Sequence, residues 1–275
     1  MRSIERALER QADAARHKVH GLRQPGRFIV SGALAGAYVG IAVVMMVNIS
    51  GPLAATGSGA VKLVNGLVFG VALVLIVFGG GELVTSSMMT LTQGTLVRAT
   101  RAAHSAGALA VTFLANALGA AVFASLIALS GVLHANPAAA AMLDDMLEAK
   151  GHETPVELFV RGVLCNVLVC LAVWMCARLK SDVAKILVIV SALLPFVASG
   201  FEHVVANLST FSIGLLTGAA HASWGAFAGN ILWVGLGNLL GGMLVGVAYW
   251  FVGGSPRVSA DDAARIVDPG VHVSR

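Results

Sequence analysis

Two short segments of this sequence combine a helix-breaking glycine with a carboxylate inside an otherwise uncharged apolar stretch. The first contains Gly80-Gly81-Glu82 and is followed by Thr85. The second contains Gly200-Phe201-Glu202 and is followed by His203 and then Asn207. Imidazole exchanges a proton near neutral pH, and the start of a helix exposes unpaired N–H groups that bind anions. These residue types predict a buried site that handles a small anion and a proton.

The residues around each glycine are unfavourable for a helix interior. Each glycine of the run Gly79–Gly81 costs about 1 kcal/mol relative to alanine, and Pro195 together with Gly200 is expected to break the second segment. Irregular backbone at membrane depth persists only where it is buried in protein or lines a cavity. We therefore expect two broken helices whose freed N–H groups face a pathway, with no arginine or lysine in either break. A lone charge at mid-bilayer costs about 2.5–3.5 kcal/mol, so Glu202 is expected to be neutral or bonded to the freed amides.

The elements that position these residues are membrane-spanning helices. The 275-residue chain is 57% hydrophobic and 12% charged, whereas soluble domains carry roughly 25% charged residues. A helix needs roughly 20 apolar residues to cross the hydrocarbon core. The predicted spans are 28–50, 63–96, 102–132, 156–178, 186–215 and 224–252. The sequence thus predicts an all-α integral membrane protein with six spans, of which the second and fifth are broken.

The basic residues predict the orientation, because cytoplasmic loops are enriched in Lys and Arg. Of the 18 basic residues, all but Lys62, Lys150 and Arg161 fall on one side of the six spans. We therefore predict that both termini are cytoplasmic. The net charge of +4 reflects this asymmetry and gives no reason to invoke nucleic acid.

The same pattern divides the chain into three parts. We expect a cytoplasmic N-terminal segment at 1–27, a transmembrane pore domain at 28–252 and a cytoplasmic tail at 253–275. Within the first part, residues 4–19 have the apolar periodicity of an amphipathic helix lying on the membrane surface. The outer connection at 134–157 is acidic and is expected to be a solvated loop.

Three pairs of motifs repeat between the two halves of the chain. The glycine–glutamate segments are one pair. The others are Asn116-x-x-Gly119 with Asn238-x-x-Gly241, and Gly32-x-x-x-Gly36 with Gly162-x-x-x-Asn166. Each half would contain three spans, an odd number, so the halves are predicted to be inverted relative to one another, as in many transporters.

At these residues the sequence closely resembles the formate–nitrite transporter family. The resemblance rests on Gly-Gly-Glu-Leu-Val-Thr-Ser at 80–86, Gly-Val-Leu-Cys-Asn-Val-Leu-Val-Cys-Leu-Ala-Val-Trp-Met at 162–175 and Ala-Ser-Gly-Phe-Glu-His at 198–203. It extends through Asn207 and 230–242 and covers roughly residues 28–252. Two further segments, 35–40 and 179–185, look most like the nitrite branch.

The resemblance implies an aquaporin-like homopentamer with one pore in each subunit and no cofactor. It makes Thr85 and His203 the central pair of the substrate pathway, supported by Asn166 and Glu202. It also implies two apolar constrictions, formed by Leu73, Leu83 and Val169 toward the cytoplasm and by Phe69, Val84 and Phe196 toward the periplasm. Val84 departs from the family, which usually has phenylalanine there. The N-terminal helix is expected to gate the cytoplasmic mouth.

The resulting hypothesis is a channel or transporter of the bacterial inner membrane that moves a small monovalent anion together with a proton at His203. Nitrite is the leading substrate, and formate or hydrosulfide is the alternative within the family. We expect no enzymatic activity.

Two other classes remain open. A water or glycerol channel is suggested only by Asn136-Pro137-Ala138, which occurs once and in an outer connection. A membrane redox enzyme would need clustered ligands. The sequence offers scattered histidines and three cysteines without a metal or redox spacing, namely His104, His134, His152, His221, Cys165, Cys170 and Cys176.

Overall fold

The computed structural model describes residues 1–257, and these residues form ten α-helices joined by short connections. Residues 258–275 of the predicted tail lie outside the described part. The helices are α1 (Ile4–Gly21), α2 (Pro25–Ala55), α3 (Val61–Gly79), α4 (Val84–Leu96), α5 (Ala102–Ser130), α6 (Pro137–His152), α7 (Pro155–Arg178), α8 (Asp182–Ala198), α9 (Val204–Thr217) and α10 (Trp224–Val252). The predicted all-α fold is confirmed for this part of the chain.

Five helices are long and apolar enough to cross a bilayer by themselves: α2, α3, α5, α7 and α10. Two predicted spans are each divided into a pair of consecutive helices, α3 with α4 and α8 with α9. The second half of each pair is short, with 13 residues in α4 and 14 in α9. Neither reaches the roughly 20 residues that a span requires. The 19-residue α3 has spanning length by itself, whereas α8 and α9 provide it only together.

The first predicted break lies where the glycines place it. Gly80 has a φ of 83°, in the left-handed region that favours glycine, and α3 ends there. The second break differs from the prediction in one respect. Pro195 lies inside α8, which continues to Ala198, and the chain turns at Gly200, with a φ of 69°. The proline therefore does not end this helix.

Close backbone contacts hold α2 against α5 and α7 against α10. A Cβ added at Gly119 would collide with the carbonyl of Ala33, and one at Gly241 would collide with the carbonyl of Val163. Small residues allow such approach where lipid provides no hydrophobic driving force between helices. The same contact therefore occurs once in each half of the chain.

Two helices pack differently from the prediction. The apolar face of α1, including Ala7, Leu8 and Ala15, is buried against the helix bundle. The outer connection is not a solvated loop, because it contains α6, whose residues Leu143 and Leu147 are buried in the main apolar core. Both corrections have the same physical reason: each amphipathic helix covers apolar surface of the protein itself.

Candidate functional site

The two breaks bring Thr85 and His203 together in the centre of the bundle. The Thr85 hydroxyl oxygen and Nε2 of His203 are 2.9 Å apart. Thr85 is in the first turn of α4, and His203 is the residue that precedes α9. Both side chains are buried. The pairing therefore joins one residue from each break across 118 positions of sequence.

His203 also caps α9 through its other ring nitrogen. Its Nδ1 accepts the backbone N–H of Ala206 at 3.2 Å. A neutral imidazole has one N–H, and a nitrogen that accepts cannot carry it. The neutral ring proton is therefore on Nε2, where it points at the Thr85 hydroxyl.

Asn166 supports this pair from α7. Its amide nitrogen donates to the carbonyl oxygen of Thr85 at 3.1 Å and to the carbonyl oxygen of Asn238 at 2.6 Å. The side chain is fully buried. Asn166 therefore holds the backbone of Thr85 in position, and among the described residues its side chain makes no hydrogen bond to His203.

A buried asparagine stabilises each break in the same way. Asn116 accepts the N–H of Val84 at 2.9 Å and donates to the carbonyls of Gly32 and Glu82. Asn238 accepts the N–H of Val204 at 2.9 Å and donates to the carbonyls of Gly162 and Glu202. The sequence repeat marked both asparagines, but it did not indicate this role.

These contacts change the expected role of the freed amides. Besides Val84 and Val204, Glu82 donates its N–H to the carbonyl of Ser31, and Glu202 donates its N–H to the carbonyl of Arg161. The amides named here are thus bonded to the protein rather than directed at a pathway. What each short helix still offers is the positive end of its dipole.

Glu202 is paired with a lysine, contrary to the expectation that backbone amides would neutralise it. Lys150 Nζ lies 2.6 and 2.7 Å from its two carboxylate oxygens. Asn207 donates to the same carboxylate at 2.5 Å and to the Asn230 side chain at 2.7 Å. Glu202 is 4% exposed. A buried carboxylate needs such partners, and the one with opposite charge comes from α6.

The first break has a corresponding ion pair. The Glu82 carboxylate is bonded to Lys18 of α1. Two turns earlier on α1, Gln11 accepts the Thr90 hydroxyl at 2.8 Å. The N-terminal helix therefore bonds to the first break at Glu82 and to α4 at Thr90, and sequence reasoning missed both contacts.

One sequence signal would have identified Lys150 as a residue that faces the core. The residues Ala139, Leu143, Leu147 and Lys150 recur at spacings of three and four, which places them on one face of a helix. Asn136 accepts the N–H of Ala139 and Pro137 follows it, both typical helix starts. The Asn-Pro-Ala tripeptide therefore begins α6 and does not cap a helix at the central pair.

The six predicted constriction residues are all buried in one apolar cluster, which contains Leu73, Leu83, Val169, Phe69, Val84 and Phe196. The rings of Phe69 and Phe196 meet edge to face at 5.6 Å, and Phe196 lies 6.0 Å from the His203 ring. These three aromatic side chains line a cavity of about 570 Å³. Val84 is not among the described residues that line it.

This arrangement defines a class of protein. Apolar helices of spanning length enclose a buried polar pair, and a cavity lined by two phenylalanine rings reaches one member of that pair, His203. Such features are typical of an integral membrane transporter in which discontinuous helices form the site. The formate/nitrite transporter family model matches residues 5–251, and the chain belongs to that family. The match includes α1, which the sequence resemblance had left out.

Relatives of known name and structure agree with this assignment. The chain is 37% identical over 264 residues to the nitrite transporter NirC of Salmonella typhimurium, covering 94% of each chain. It is 33% identical to the formate channel FocA of Haemophilus influenzae, covering 81% of this chain and 84% of FocA. A structure described as an FNT family ion channel superposes with a TM-score of 0.83 at 32% identity, covering 90% of this chain and 98% of that one. A pentameric formate channel with formate bound superposes with a TM-score of 0.71 at 27% identity, covering 84% and 98%.

Proposed function

We propose that this protein conducts a small monovalent anion across the bacterial cytoplasmic membrane, accompanied by a proton at His203. The observation that carries the proposal is the buried contact between Thr85 and His203, 2.9 Å apart. Nitrite is the proposed substrate, with formate and hydrosulfide as alternatives. The names of the relatives support this order, since the most identical of those described is a nitrite transporter.

The barrier to be overcome is desolvation. A bare anion that enters an apolar passage loses its water and finds too few hydrogen bonds there to replace it. A proton acquired at the centre removes the charge and most of that penalty. The dipoles of α4 and α9 attract the anion toward the centre, and the Thr85 hydroxyl and the Nε2–H of His203 are the groups that meet it.

The geometry sets a condition on proton transfer. The neutral ring carries its only proton on Nε2, so giving that proton away would leave an imidazolate. Transfer to an anion therefore needs the imidazolium, in which Nδ1 carries a proton and cannot accept from Ala206. Protonation of His203 is thereby coupled to loss of the α9 cap, worth about 0.5–2 kcal/mol for a side-chain N-cap.

Two substitutions separate these roles. His203→Asn removes the titrating ring and retains a favourable capping residue, whereas His203→Leu removes both. Uptake of nitrite, formate and hydrosulfide is measured in proteoliposomes across a pH series. We expect both variants to lose pH-coupled uptake and only the leucine variant to lose stability. Unchanged uptake with an unchanged pH profile in His203→Asn would contradict the mechanism.

We also propose the organisation around this pore. The family's solved pentameric formate channel supports a homopentamer with one pore in each subunit. The repeated hydrogen bonds at the two breaks support six spans in two inverted halves. The proposed parts are the cytoplasmic segment 1–27, the pore domain 28–252 and the cytoplasmic tail from 253. Native mass spectrometry tests the subunit number, and labelling of single cysteines placed at Arg98 and Lys62 tests the orientation.

The rival classes have direct tests. A transporter without enzymatic activity is the proposal that family membership supports. Osmotic swelling of proteoliposomes without anion flux would favour a water or glycerol channel instead. A visible chromophore or bound metal in the purified protein would favour a redox protein.

A further inference from the structure

The cavity lined by Phe69 contains three basic side chains and two carboxylates, so one basic side chain has no carboxylate to pair with. Among the described residues that line it are the cations Lys62, Lys150 and Arg161 and the carboxylates Glu153 and Glu202. Lys150 is bonded to Glu202, and Arg161 is bonded to Glu153. Lys62 makes no ion pair within the part of the chain that the structure describes. An exposed, unpaired ammonium at the mouth of a cavity attracts anions.

A side chain one helical turn deeper is also without a partner. Asn65 lines the same cavity, and its Oδ1 is buried without a hydrogen-bond donor among the described residues. Buried polar groups in proteins are nearly always bonded, so an exception calls for an explanation. The Asn65 amide is therefore left to interact with whatever enters the cavity.

The amide suits both forms of a weak oxyacid. Its NH2 group has two donors for an anion, and its oxygen accepts the proton of the neutral acid. Rotation of the amide about its terminal bond exchanges the two ends. A single Asn65 side chain can thus hold the substrate whether or not the substrate carries its proton.

Position along α3 connects these residues to the pathway. Lys62, Asn65 and Phe69 follow one another at spacings of three and four residues, so they lie on one face of the helix. At 1.5 Å per residue, Lys62 and Phe69 are separated by about 10 Å along the axis. An anion drawn in by Lys62 therefore reaches Asn65 before it meets the aromatic ring.

We propose that Lys62 and Asn65 form a separate site for a small monovalent oxyanion, in which Lys62 recruits the anion and Asn65 binds it before it passes Phe69. The proposal rests on the transport function proposed above. It gives Lys62 a role in entry rate and Asn65 a role in affinity. The two ion pairs of the cavity are each neutral overall, so the positive charge that attracts an anion to this cavity is that of Lys62.

The first test compares Lys62→Gln with Lys180→Gln, which makes the same charge change at an exposed lysine outside the cavity. Nitrite uptake into proteoliposomes is measured between about 10 and 300 mM ionic strength, where screening of exposed charges becomes strong. We expect Lys62→Gln to lower initial uptake about threefold at low salt and to flatten the salt dependence. Lys62→Arg should retain both, and Lys180→Gln should change neither. Equal salt dependence in the two glutamine variants would overturn the role of Lys62.

The second test replaces Asn65 with leucine, which keeps its approximate size and removes its hydrogen bonds. We expect the KM for nitrite and formate to rise about tenfold to hundredfold, as loss of one hydrogen bond to a charged group would produce. Hydrosulfide, which has no oxygen atoms, should be affected less. The salt dependence should remain that of the parent protein. An unchanged KM for both oxyanions would overturn the role of Asn65.

A binding measurement keeps this proposal distinct from the transport proposal. Sodium nitrite and sodium formate should raise the thermal midpoint of the detergent-solubilised protein, since a ligand that binds the folded state stabilises it. The shift should shrink in Lys62→Gln and Asn65→Leu and persist in Lys180→Gln. A shift without flux would contradict only the transport function. Normal flux with neither variant altering KM, salt dependence or the thermal shift would contradict only this site.

Discussion

The two helix breaks have the same backbone and different chemistry. Each turns at a left-handed glycine, Gly80 or Gly200, and each is stabilised by a buried asparagine from another helix. The residue that precedes the short helix differs, because it is Leu83 before α4 and His203 before α9. Only the second break has a side chain that caps the helix and titrates. The two breaks thus share the left-handed glycine and the asparagine that bonds the short helix, and they differ in the residue that precedes that helix.

The ion pairs at the two breaks also differ, in how far the carboxylate is exposed and in which helix provides the lysine. Glu202 is paired with Lys150 of α6, and its side chain is 5% exposed. Glu82 is paired with Lys18 of α1, and its side chain is 27% exposed. The lysine that pairs with Glu82 is in α1, which precedes the bundle helices, whereas the lysine that pairs with Glu202 is in α6, between α5 and α7. The carboxylate at one break is therefore neutralised by α6 and the carboxylate at the other by α1.

The largest expected effect comes from removing the feature that the breaks share. Asn116→Leu and Asn238→Leu each leave the N–H of the short helix and the carbonyl of the glutamate in the break without this partner, at about 1–3 kcal/mol per buried group. We therefore expect each variant to lose about 2–6 kcal/mol of stability. Thermal unfolding in detergent measures the loss. If one variant were stable and the other not, the two breaks would not be structurally equivalent.

The next effect distinguishes the ion pairs. Lys150→Met leaves a buried carboxylate unpaired, which costs about 3–5 kcal/mol. Lys18→Met exposes a carboxylate that water already reaches, which costs about 1 kcal/mol or less. Adding Glu202→Gln to Lys150→Met should recover most of the loss. Equal destabilisation by the two lysine variants would contradict the asymmetry described here.

A smaller effect is expected at the contact between the breaks. Thr85→Val keeps the shape of the side chain and removes the hydroxyl that faces His203. Loss of one hydrogen bond corresponds to about 0.5–1.5 kcal/mol, so uptake should fall about threefold to tenfold with little change in thermal stability. Thr92→Val, which removes a hydroxyl bonded only within α4, is the matched control. Equal loss of uptake in both variants would remove Thr85 from the pathway.

The smallest effect concerns the pH dependence of uptake through the cavity that Phe69 and Glu153 line. Burial and the nearby Glu202 raise the pKa of Glu153, while Lys150 and Arg161 lower it less. As pH falls toward this raised pKa, Glu153 becomes neutral, Arg161 loses its partner and the cavity becomes more positive. Nitrite uptake should therefore increase on the acidic side. At pH 7, Glu153→Gln should already take up nitrite about twofold faster than the parent protein. Its uptake should show no further increase at acidic pH from this group.

The control for this prediction is Asp145→Asn, the same charge change at an exposed position of α6. It should leave the pH profile of uptake unchanged. An acid-side increase of the same size in Glu153→Gln and in the parent protein would assign that increase to other groups, His203 among them.

The sequence by itself determined the membrane class, the two breaks and the motifs that recur in the two halves of the chain. Apolar length, the glycines at 80 and 200, and the asparagines at 116 and 238 are properties of positions along the chain, and the helices follow them closely. The resemblance added the central pair, and the structure places Thr85 against His203. These features were predictable because a span and a break are each specified by local residues.

Only the tertiary structure decided what neutralises the buried carboxylates. Lys18 and Glu82 are 64 positions apart, and Lys150 and Glu202 are 52 apart. No local pattern connects such residues, because an ion pair depends on how separate helices pack. The acidic composition of α6 concealed its apolar face and with it Lys150, and the unpartnered Asn65 is visible only once the cavity exists. Hydropathy and helix breaks are encoded locally, whereas electrostatic partners are chosen when the helices meet.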